Sequence, residues 1–210
     1  MKNLITTVCL ICFLGSFLTL SAQDAPDASM QTDSKEYGLA NDYKERQLNN
    51  VDTIPDYETK LNKLIITGSI FQSDGITPAK DVVLYIYHAD DNGDYQTSNE
   101  TNNDDVYHSG SIKTDADGKY TFYTFIPGSA IEPITYPRRR GPKKIFPVIK
   151  DQDNSEYELN ALVFEDDPLL SKSCRRRIKK RGTNNILNPE LKEGDIYVAN
   201  KDIILEGSDQ

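Results

Sequence analysis

TDADGKYTFYTFIPG, residues 114–128, is the stretch on which the reading of this chain turns. Its opening TDADG concentrates Asp and Gly, residues that accept the backbone of a tight turn. KYTFYTF (Lys119–Phe125) follows as a strand rich in aromatic and β-branched residues, and Tyr107–Lys113 precedes the turn as another. Strand, turn and strand in that order predict a β-hairpin.

Working outward, the same texture continues on both sides. LIITGSIF (Leu64–Phe71) is a short β-branched run, SDGITPAKD is a turn-rich connection, and VVLYIYH (Val82–His88) is a second run. There Val83, Tyr85 and Tyr87 point one way and Leu84, Ile86 and His88 the other. Both sets are large, which predicts a strand buried on both faces. DDNGD (Asp90–Asp94) turns the chain. Ile145–Ile149, Leu159–Glu165, DIYVA (195–199) and KDIILE (201–206) supply further strands. Many short strands with turn signals between them, and little helical periodicity, predict an all-β fold, a β-sandwich.

The N-terminus reads differently. Lys2 precedes an uncharged apolar run, Leu4–Leu20, and Ser21-Ala22 offers small residues for cleavage after Ala22. That order is a secretory signal peptide over residues 1–22, which predicts export to the periplasm or beyond. The apolar run is shorter than the ~20 residues a spanning helix prefers. No later segment is apolar enough to span a bilayer. Residues 23–60 are polar and poor in aliphatics and read as a flexible leader, at most packed loosely onto the domain. Residues 61–210 form the domain. The formal charge is −9 before Lys2 is removed, which argues against nucleic acid as a partner. Cys9 and Cys12 lie in the apolar run, so Cys174 has no internal disulfide partner. It is expected to be a buried small hydrophobe.

At this point the motifs carry a resemblance. LIITGSIFQSDGITPAKDVVLYIYHADDNGDY (64–95) resembles the opening of the intradiol ring-cleaving dioxygenase catalytic domain. TDADGKYTFYTFIPG is similar to that family's T-D-x-x-G-x-Y-x-F-x-T-x-x-P-G run, and VFEDDPLL and CRRRIKKRG resemble segments of exported relatives. The resemblance implies a sandwich of that type. It also implies a non-haem Fe(III) centre that cleaves catechols with dioxygen, the metal held by two tyrosines and two histidines. Ferric iron is hard and highly charged, so tyrosinate suits it and neutral imidazole completes the set.

The resemblance places the first tyrosine at Tyr95 and the second at Tyr136, with Ala130 as the competing position. It places the histidines of a P-x-H-I-H-P motif within PKKIFP (Pro142–Pro147), where Lys144 and Phe146 stand instead. Protonated lysine has no lone pair and phenylalanine has no ligating atom. The arginine expected before Pro142 is Gly141, with Arg138, Arg139 and Arg140 nearby as a possible pocket rim. Family-type iron is therefore not expected, and no other cofactor is. The chain's two histidines, His88 and His108, are expected to be structural; a new site joining both to Tyr95 is the alternative.

RRRGPKK (138–144) and CRRRIKKR (174–181) are basic clusters in an acidic chain. They read as solvated loops balanced by Asp151–Asp153 and Glu165–Asp167, or as an anion-binding rim. Asp166 and Asp167 read as a strand end turning into a loop. There is no phosphate-cradling loop, zinc spacing or nucleophile elbow. The function expected is an exported, non-catalytic relative that binds a small aromatic or anionic ligand. The alternatives are an active ferric oxidoreductase with replacement ligands and a carbohydrate-associated surface domain.

Overall fold

The computed structural model describes residues 47–97, 106–132, 135–150, 156–182 and 184–206. The expected signal peptide and residues 23–46 of the expected leader lie outside the described residues, as does the acidic run at 151–153.

Among the described residues, the chain forms two sheets of six strands each. The first runs in the order β1 (Val51–Thr53), β5 (Lys119–Phe125), β2 (Lys63–Phe71), β11 (Ile196–Asn200) and β10 (Glu190–Lys192), with β12 (Ile203–Ile204) also on β2. The second runs β4 (Ser109–Lys113), β3 (Val83–His88), β6 (Lys144–Lys150), β8 (Leu162–Phe164) and β9 (Ile186–Leu187), with β7 (Glu156–Glu158) on β6. Every second residue of β2 is buried, Leu64, Ile66 and Ile70 among them. These meet Phe122 of β5 and, across the layer, Leu84, Ile112 and Ile145 of the second sheet in one core. The alternation of strand side chains thus assigns one face of each sheet to the sandwich interior. All six residues of β3 are buried, as its two apolar sets predict.

Three expectations are corrected. The strands flanking TDADG do not form a hairpin. The turn is present, with the Asp115 carboxylate accepting from the Asp117 and Lys119 amides and Gly118 at φ 70°. It carries the chain from β4 in one sheet to β5 in the other. β5 pairs with β2 instead, over the whole of Lys119–Phe125. A turn signal is local, whereas the choice of partner strand depends on residues far along the chain.

Residues 49–60 of the expected leader are part of the domain. β1 pairs parallel with β5, while the Asn49 carbonyl accepts from Lys113 and the Asp52 carboxylate from Ser111, both on or beside β4. One short segment therefore ties the two sheets together at an edge. Ile54 behind it is fully buried, worth about 1.5–3 kcal/mol by area. Tyr57 is buried too, edge-on to Tyr123. Three polar-flanked strand residues show no periodicity, so the pattern missed them.

The basic run at 172–181 is a helix, α1 (Lys172–Arg181), rather than a loop. The Ser171 side chain accepts from the Cys174 amide at its start, and Gly182 closes it in the left-handed conformation. Its one buried residue, Ile178, packs with Val163 and Leu170, and Cys174 is half-buried beside them. A single buried contact makes no readable helical period, and the Ser171 and Gly182 caps went unread.

Candidate functional site

The residues the sequence nominates fall mostly on the outer face of the second sheet. Alternation along β6 puts Ile145 and Ile149 inward and Lys144 and Phe146 outward. On that outer face Tyr85, Tyr87, Val106 and Val148 form a second buried cluster, with Tyr95 and Phe146 half-buried against it. The Phe146 ring stacks on Tyr87 at 5.0 Å and 13°, and Tyr95 leans on Phe146 at 6.5 Å and 57°. Tyr95 thus lies beside the strand on which the resemblance expects imidazoles.

The Asp90–Asp94 turn positions Tyr95. Asp90, 6% exposed, accepts from the Asn92 and Asp94 amides and from the Gln96 side chain. Burial alone would raise its pKa, but these donors outweigh it and hold the carboxyl below its usual range. Gly93 and Gly128 face each other across the contact between this turn and residues 128–130. A Cβ at either would overlap backbone of the other segment. Arg140 fastens the same corner, donating to the Asn92 carbonyl at 2.7 Å and to the Ser129 carbonyl. Arg140 is therefore a strut. Arg138 and Arg139 are exposed, with Arg139 engaged through its backbone to Glu132 and Thr135.

Lys144 does not stand as a free positive charge. Its ammonium meets the Glu132 carboxylate at 2.8 Å, and Glu132 packs against Gly141, where a Cβ would collide with that carboxylate. Sequence reasoning missed Glu132, which had no motif to mark it. Tyr136 is fully exposed. Ala130, the competing position, is half-buried, and its carbonyl accepts from the Gly141 amide.

His88 and His108 are on the other side of the sheet. Both are buried, their rings parallel at 5.9 Å and 3°, and Phe125 meets each edge-on. His88 Nδ1 donates to the Ala89 carbonyl, leaving Nε2 to accept from the Thr124 hydroxyl at 2.7 Å. Its neutral form is fully satisfied and has no spare lone pair. Burial pushes its pKa down to about 4. His108 Nε2 bonds the Asp56 carboxylate at 3.1 Å. His88 and His108 pack against Phe125 on the inner side of the second sheet, whereas Tyr95 packs onto its outer face, so the two histidines do not join Tyr95.

The profile of the family described as Dioxygenase matches residues 38–146, ending on Phe146. This chain belongs to that family. Among solved structures, the dioxygenase domain of a dioxygenase–carbohydrate-binding protein fusion from Streptomyces sp. SirexAA-E is similar at 18% identity and TM-score 0.55, over 74% of this chain and 87% of that one. Catechol 1,2-dioxygenase from Pseudomonas arvilla C-1 is similar at 15% identity and TM-score 0.60, over 78% of this chain and 58% of that one. 3-Chlorocatechol 1,2-dioxygenase from Rhodococcus opacus 1CP is similar at 19% identity and TM-score 0.56, over 75% and 66%. The chain therefore spans less than two thirds of either catechol enzyme's length. No curated sequence matches it. At these identities the neighbours share the fold, an all-β sandwich of the intradiol dioxygenase type.

The family's ferric ion does not fit the side chains at this site. The outer face carries the phenols of Tyr85, Tyr87 and Tyr95, with Tyr95 at a tyrosine position of the resemblance, but an ion-paired ammonium and a phenyl ring stand where two imidazoles would be required. Among the described residues no group of three or more His, Cys, Asp or Glu could hold a metal.

Proposed function

We propose that this member of the dioxygenase family is exported and works by binding rather than by ferric catalysis. A small aromatic or anionic ligand would meet the outer face of the second sheet, around Tyr95, Phe146 and the Lys144–Glu132 pair. The observation that carries this reading is the division of the candidate donors. Of the residues the resemblance nominates, Tyr95 packs outward beside Phe146, Tyr136 is exposed in solvent, and His88 is sealed into the interior with both nitrogens engaged. A ferric site would need donors that this face lacks.

Tyr95 beside β6 supports a second reading, a ferric oxidoreductase acting on a catechol-like ring through replacement ligands. One measurement separates the two: metal content and visible absorbance of the purified mature chain after incubation with ferric iron. Tyrosinate on Fe(III) gives a charge-transfer colour. The binding reading expects neither stoichiometric iron nor a visible band. Stoichiometric iron with the band would overturn it, and catechol turnover would then be the assay. Export predicts a mature N-terminus at Gln23, checked by sequencing the secreted chain.

A further inference from the structure

The basic residues of this acidic chain are segregated. Five lie in Arg138–Lys144 and seven in Lys172–Arg181, together 12 of the 24 lysines and arginines, and neither stretch holds a carboxylate. The remaining 12 cations share the rest of the chain with all 33 acidic residues. The fold brings the two basic stretches together. Asp167 accepts from the Lys143 amide through its carboxylate at 2.7 Å and from Arg175 through its carbonyl at 3.1 Å. Lys144 pairs with Val163, and Val163 with Ile186. α1 packs on Val163 and Ile186 through Ile178 and Cys174.

Several of these cations have structural partners. Arg140 holds the Tyr95 turn, Lys144 has Glu132, and Arg175 has Glu165 at 3.6 Å. Lys172, Arg176, Arg177, Lys179, Lys180 and Arg181 form no ion pair with any described carboxylate, and all six are exposed. At 3.6 residues per turn they cover an arc of roughly 200° on α1, opposite Cys174 and Ile178. Like charges recur at three- and four-residue spacing, as in Arg176–Lys179 and Arg177–Arg181, which opposes helix formation. The helix dipole favours Lys179, Lys180 and Arg181 at the C-terminal end, but not Lys172 at the other, where the first turn has no acidic residue. Helix stability alone does not account for this composition.

A cleft of about 460 Å³ opens beside the same helix. Ile178 and Ile186 line it together with Lys179, Asn184 and Asn188, and Glu165 at its wall is held by Arg175. We propose that this face binds an anionic polysaccharide. A carboxylated sugar would seat in the cleft, its hydroxyls toward the Asn184 and Asn188 amides and its carboxylate toward Lys179. Further carboxylates of the chain would follow the arc of α1, a span of about 15 Å. The two isoleucines suit the apolar face of a sugar ring, and the amides suit its hydroxyls. An anionic membrane is disfavoured because the arc carries no apolar side chain to insert. A single-stranded nucleic acid is disfavoured because the arc offers no aromatic ring for a base to stack on. The proposal is independent of whether the Tyr95 face holds iron.

The test is calorimetric titration of the full mature chain with a galacturonate oligomer long enough to span α1, at low and at physiological salt. Binding is expected, weaker in salt. R176E/K180E should bind about tenfold more weakly or worse, while K119E on the other sheet should bind as wild type. Glutamate is a good helix former, and R176Q/K180Q provides a milder variant whose α1 can be checked by circular dichroism. Asn188→Ala should weaken binding without changing its salt dependence. No binding of the oligomer, or equal binding by wild type and both double variants, overturns the proposal. So does binding of anionic vesicles or duplex DNA but not of the uronate oligomer.

Discussion

The two faces of β6 and its neighbour β3 are built to different ends. Inward, Ile145, Ile149, Leu84 and Ile86 are almost wholly buried, and even His88 is reconciled to the interior by two hydrogen bonds. Outward, Lys144 is paired to Glu132 and Phe146 stacks on Tyr87 in a half-open aromatic cluster. Residues that specify the sandwich and residues that would specify chemistry alternate along the same strands. Either set can be exchanged while the other persists, so membership of the dioxygenase family does not by itself carry catechol chemistry.

The contrast predicts that interior changes cost stability and outer-face changes cost little. The largest effect should come from Phe122→Ala in the fully buried core, a loss of about 3–5 kcal/mol in denaturant unfolding. A loss below 1 kcal/mol would break the assignment of that face to the core.

Protonation of His88 should come next. The folded imidazole titrates at about 4, below its ordinary 6.5, because burial disfavours the charge. Between those values the unfolded chain binds the extra proton and the folded chain does not. The His88 contribution is therefore intact above about pH 6.5 and is lost as the pH falls towards 4, by at most about 3 kcal/mol. His88→Gln should flatten that part of the stability–pH curve, and an unchanged slope would argue against His88 as its source. Thr124→Val leaves Nε2 of the same ring without its donor and should cost about 1–3 kcal/mol.

Outer-face changes should be smaller. K144H/F146H is expected to fold with a loss of about 1 kcal/mol, chiefly from the Tyr87 stack. It should gain ferric binding with a visible tyrosinate band from Tyr95, absent from the parent. Failure of the variant to bind iron would mean that Tyr95 is not aimed at these positions. Glu132→Ala should be smallest, under about 1 kcal/mol, because its partner Lys144 remains partly solvated.

Much of the sandwich was legible because burial writes itself into strand sequences. Leu64–Phe71 and Val82–His88 differ from β2 and β3 by one residue at their starts. Elements fixed by other means were not legible. β1 is secured by backbone pairing and the Asp52 carboxylate on Ser111, neither of which leaves an apolar pattern. α1 buries Ile178 alone, and its caps are its only clear signature. At the candidate site, Tyr95 and the substitutions at Lys144 and Phe146 could be nominated from motif position. The Lys144–Glu132 pair and the role of Arg140 as a strut required the fold of residues 129–132 and 135–141, whose local sequence carries no periodic pattern.

Sequence alone determined that this chain builds a β-sandwich and which side chains stand at the motif positions, because strand alternation and residue chemistry are local properties. Only the tertiary structure decided that TDADG joins two sheets and that His88 and Tyr95 face opposite ways. It alone brought Arg138–Lys144 beside α1. Pairing, facing and convergence depend on contacts between residues tens of positions apart, and no local pattern encodes them.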